Sequence, residues 1–87
     1  MKFKGLFVVK KIGESFYAVP TGKTATEMKC MIKLNDTASL LFESAINGTD
    51  ENGLCELLTE RFGIPMEQAK EDVEDFVSTL KGANIIE

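Results

Sequence analysis

The spacing of apolar side chains changes period near Asn35. Before it, Met28, Cys30, Ile32 and Leu34 alternate with Lys29 and Lys33, the pattern of a half-buried strand, and only Met31 falls off the polar face. After it, Ala38, Leu41, Phe42, Ala45 and Ile46 recur at helical spacing, which predicts a helix over about 36–46 capped by Asn35 or Asp36. Strand and helix share one apolar side and so pack on one core.

Upstream, Leu6, Val8 and Ile12, with Phe7 and Val9 between them, read as a first strand over about Gly5–Ile12. Gly13-Glu14 supplies a two-residue hairpin suited to a type II′ turn, and a second strand runs from Ser15 to Val19 until Pro20 removes a ladder donor. The polar stretch Thr21–Thr26 reads as a loop. Downstream, Asn47-Gly48 ends the first helix, Thr49 or Asp50 caps a second with the stripe Leu54, Leu57, Leu58 and Phe62, and Gly63 closes it. Pro65 opens a third helix, on which Met66, Ala69, Val73, Phe76, Val77 and Leu80 share a face as far as Lys81. Gly82 ends it, and Asn84-Ile85-Ile86 forms a short extended tail. The order is three strands, then three helices, which predicts a winged-helix-like α+β domain in which a three-stranded antiparallel sheet precedes three helices. At 87 residues the chain is one domain, 1–87.

Charge narrows the function. The net −4 divides into seven Lys against Glu14 and Glu27 in residues 1–33, and Lys70, Lys81 and Arg61 against twelve acids in residues 34–87. A winged helix raises the possibility of nucleic-acid binding, but the third helix would present Glu67, Glu71, Asp72, Glu74 and Asp75 to a phosphate backbone, so nucleic acid is the alternative reading and not the leading one. There is no His, neither Cys has a neighbouring base, and no zinc, calcium or phosphate-loop spacing occurs. Catalytic roles would rest on carboxylates alone, and those on the third helix lie opposite its apolar stripe as a solvated face, so a non-enzymatic protein with no metal and no cofactor is expected. Without an apolar run of membrane-spanning length or a signal peptide, no membrane is expected and the location is read as cytoplasmic. Cys30 and Cys55 read as buried thiols.

What remains is an edge. In a three-stranded meander the first and third strands are edges, and an open edge is a row of unpaired N–H and C=O groups that a visiting peptide can complete. Lys29 and Lys33 guard it against self-association, and they would also meet an acidic peptide.

Several segments resemble the PqqD family: Ile32-Lys33-Leu34-Asn35-Asp36-Thr37-Ala38, the Ile46-Asn47-Gly48 turn, and Glu71 to Leu80 followed by Gly82 and Ile85. Val8 to Gly13 and Tyr17 to Pro20 suit that family's opening hairpin. Asp36 stands where the family more often has Glu, and Ala83-Asn84 delays the closing Ile85-Ile86. The resemblance implies a peptide chaperone that binds the leader of a ribosomally synthesised precursor peptide as an added strand. It further implies that the leader lies along the third strand, in a groove closed by the third helix, for presentation to a modifying enzyme, often a radical S-adenosylmethionine enzyme. Carried over, the strand is Met28, Lys29, Cys30, Met31, Ile32, Lys33 and Leu34. From the helix, the flank at Ala69, Lys70, Asp72 and Val77 is expected to touch the peptide, while Val73, Phe76 and Leu80 belong first to the core and line the groove at their edges. The assembly is expected to be a monomer or weak homodimer.

Overall fold

The structure, a computed structural model, describes residues 1–27 and 31–87. Its elements run β1 (Phe7–Ile12), β2 (Ser15–Pro20), α1 (Lys23–Glu27), β3 (Ile32–Leu34), α2 (Asp36–Ile46), α3 (Glu51–Phe62) and α4 (Met66–Gly82). The fold is α+β: an open three-stranded antiparallel sheet in the order β1-β2-β3, followed by three long helices. The expected third helix is therefore α4. Of the predicted strand 28–34, the ladder takes in Ile32–Leu34 and leaves out Met31, while Met28, Lys29 and Cys30 lie outside the described residues.

Turn and cap chemistry set the element boundaries. Ile12 pairs with Ser15 across Gly13-Glu14, and Gly13 at φ +64° is the turn residue with positive φ, as a type II′ turn requires. Asn35 Oδ1 accepts the Ala38 N–H at 2.7 Å to cap α2, and Asp50 Oδ1 accepts the Gly53 N–H at 2.8 Å to cap α3. Gly82 is the last residue of α4, but the left-handed position belongs to Asn84 at φ +63°, with the Ile85 N–H donating to the Leu80 carbonyl at 2.9 Å. Asn is the best substitute for Gly in that conformation, so the two residues before Ile85 complete the helix end rather than merely lengthening the tail.

One prediction fails. The stretch read as a polar loop contains the short helix α1, tied down where Thr24 Oγ1 accepts the Leu6 N–H at 2.8 Å. Thr24 is buried, and a Cβ on Gly5 would come within 2.5 Å of its Oγ1, so Gly5 admits the close approach. Nothing in the local apolar pattern announces a helix whose anchor lies on another element.

The core gathers around Phe42, which is fully buried and meets the rings of Phe3, Phe7 and Phe76 in edge-on contacts with centroids 5.4, 6.1 and 6.4 Å away. β1 turns Phe7 and Val9 inward, so Leu6, Val8 and Ile12 project to solvent. Tail and N-terminus close on each other: Phe3 bridges Ile86, the Lys4 N–H donates to the Ile85 carbonyl at 2.8 Å, and Glu87 returns an N–H to the Lys2 carbonyl at 3.0 Å. Ile85 and Ile86 are thereby buried.

Candidate functional site

Sheet register shows what β3 offers. The Thr21 N–H donates to the Leu6 carbonyl at 2.9 Å, and counting by twos from that pair and from the turn-closing pair Ile12–Ser15 makes Lys10–Tyr17 a hydrogen-bonded pair as well. Tyr17 thus spends its backbone groups on β1. On its other side it sits opposite Lys33, while Phe16 and Ala18 face Leu34 and Ile32. Ile32 and Leu34 therefore bond to β2, and Lys33 turns its N–H and C=O to the open edge. The side chains alternate the other way: Lys33 is exposed, Ile32 half-buried and Leu34 buried.

Alongside that edge runs a groove of about 450 Å³ between β3, the start of α2 and α4. Its floor is apolar, with Leu34, Ala38 and Leu41 on one side and Phe76 and Leu80 on the other. Its rim on α4 carries Asp72, Asp75 and Thr79, residues spaced so that all fall on one helical flank. Asp72 Oδ1 accepts from Gln68 Nε2 at 2.9 Å, whereas Asp75 is exposed to solvent. A second depression of about 460 Å³ shares Lys33, Leu34, Asn35 and Thr37 and continues around the strand towards Glu14 and Phe16. α4 itself is braced from behind by α3.

The residues singled out from sequence divide three ways. Ile32, Lys33, Leu34, Asp72, Phe76 and Leu80 come together in the groove. Ala69, Val73 and Val77 are buried in the core instead, and Lys70 stands on the α3 side of the helix, near enough to Cys55 to oppose the rise that burial imposes on that thiol's pKa. Met31 is exposed just ahead of β3, while Met28, Lys29 and Cys30 lie outside the described residues. Asn35, Thr37, Ala38, Leu41, Asp75 and Thr79 line the groove without having been singled out. Their signal was positional: Asp75 and Thr79 immediately precede Phe76 and Leu80, on the shoulder of the apolar stripe.

The profile of the family described as "Coenzyme PQQ synthesis protein D (PqqD)" matches residues 24–86. The chain belongs to the PqqD family. Two solved structures share this PqqD fold at low sequence identity. A lasso peptide synthetase B1 complexed with the leader peptide superposes with a TM-score of 0.73 at 18% identity, covering 97% of this chain and 93% of the other. TbiB1 in complex with the TbiA(beta) leader peptide superposes with a TM-score of 0.77 at 14% identity, covering 100% of this chain and 95% of the other. No curated protein matches the sequence. Among the described residues no helix of this PqqD protein is long and apolar enough to cross a membrane.

Proposed function

We propose that the chain, acting as one peptide-recognition domain over 1–87, is a non-enzymatic chaperone for the leader of a ribosomally made precursor peptide. The leader adds as a strand to β3, with its side chains on α4, and is passed to a modifying enzyme of the radical S-adenosylmethionine class. The observation that carries the reading is Lys33, whose backbone N–H and C=O face an open edge beside an apolar-floored groove. Family membership and the leader-bound structures that share the fold support it. Carboxylates on the groove rim weigh against nucleic acid, whose phosphates they would repel. A leader of about ten residues buries less than a standard interface, so affinity near micromolar is expected.

The test uses leader segments of precursor peptides encoded beside this chain's gene, titrated into isotope-labelled protein. Amide shifts should concentrate in residues 32–38 and 72–80. Lys33→Pro removes one outward donor while sparing the β2 ladder, and it should leave the fold intact and weaken binding at least about tenfold, the loss of roughly one well-made hydrogen bond and its register. Shifts elsewhere, or undiminished binding by Lys33→Pro, would overturn the reading.

A further inference from the structure

Resting on that reading, the groove's charge specifies what the leader must present. A strand added along β3 places the residue opposite Lys33 on the outer face and turns its two neighbours inward, over the groove. Those two side chains stand about 6.6 Å apart, twice the strand rise. Along α4 the rim residues Asp72 and Asp75 are about one turn apart, a rise of about 4.5 Å, close enough for both carboxylates to serve one inward-facing side chain. The floor beneath them, formed by Phe76, Leu80 and Leu41, is buried and apolar. Like charges three residues apart on a helix repel, and a cation between them relieves the repulsion while satisfying both.

We propose that the leader carries an apolar anchor and, two residues from it on the same face, an Arg or Lys that Asp72 and Asp75 hold together. A long basic side chain suits the place, since its stem can lie on the apolar floor while its head reaches the rim. Lys29 and Lys33 made an acidic peptide the expectation from sequence. The groove reverses that sign for inward-facing residues and confines acidic preference to the residue opposite Lys33, on the outer face.

A displayed library of random twelve-residue peptides, selected in parallel on the full chain and on Asp75→Lys, tests this. On the native chain the peptides that shift amides of residues 32–38 and 72–80 should be enriched in an apolar residue and Arg or Lys at i and i+2, and on Asp75→Lys the basic preference should vanish or turn acidic. With the best native-selected peptide, Asp75→Asn should weaken binding about tenfold and flatten its salt dependence. It should unfold at the same temperature or slightly higher, since it removes a like-charge neighbour from an exposed helix position. Groove-binding peptides without basic enrichment, or affinity indifferent to Asp75→Asn, would overturn the charge proposal and leave leader binding standing. Failure to select any peptide that maps to the groove would overturn both.

Discussion

Lys33 combines two roles that pull on different atoms. Its ammonium faces solvent on the outer face of the sheet, a deterrent to edge-to-edge association, while its backbone is the free rung of the ladder. Side-chain truncation there should therefore cost less binding than loss of the N–H. Cys55 is the opposite case, a group whose importance lies in staying neutral. Burial raises its thiol pKa above the ordinary 9.0, against the pull of Lys70. Because the folded state holds that proton more tightly than the unfolded chain, this contribution is intact below about pH 9 and declines as pH rises further. Urea titrations between pH 8 and pH 10.5 should show native stability falling more steeply than that of Cys55→Ala, by at most about 1.4 kcal/mol per pH unit. Parallel slopes would remove Cys55 from the alkaline behaviour.

Among the elements, α1 is tied down by a contact distant in sequence. Thr24→Val keeps the side-chain shape but leaves the Leu6 N–H unpaired, and about 1–3 kcal/mol of destabilisation is expected, read by urea unfolding together with faster amide exchange at Leu6. An unchanged midpoint would show that water takes over the donor. The same contact explains why α1 was invisible in sequence: Lys23–Glu27 has no apolar stripe, and its anchor sits on the approach to β1. The elements that were legible carry their own punctuation. Gly13-Glu14 fixed the hairpin, Asn35 and Asp50 fixed two helix starts, and the stripe from Ala69 to Leu80 fixed the buried face of α4. The inward face of β1 was harder, because both parities are apolar; the edge-on packing of Phe7 against Phe42 goes with Leu6, Val8 and Ile12 facing outward. The groove was half legible for a related reason. Periodicity finds the residues that fill a core, such as Val73 and Val77, whereas rim residues such as Asp75 and Thr79 are polar by nature and acquire meaning only once α4 is set beside β3.

At the scale of the whole molecule, the basic first part of the sequence supplies the sheet and the acidic remainder supplies the three long helices, so the groove lies on the boundary between them. The α4 side of that boundary is negative and the β3 side positive, which favours one orientation of a peptide carrying both signs. The framework that holds the boundary is closed at the far end by Phe3 and Ile86, with Lys2 Nζ 3.6 Å from Glu87 Oε2. An ion pair so exposed adds little stability, but the backbone bonds beside it keep the two ends in register. Joining residue 87 to residue 1 by a short Gly/Ser linker and opening the chain between the exposed Gly48 and the half-buried Thr49 should therefore yield a circular permutant that unfolds cooperatively and binds the same peptides with affinity within about threefold of the native order. A molten permutant would show that the α2–α3 connection, and not the terminal seam, holds the helices in place. The seam thus makes the order of the chain a free variable for engineering: cargo, a reporter or a tethered enzyme can be attached at a new pair of ends without approaching the open edge of β3.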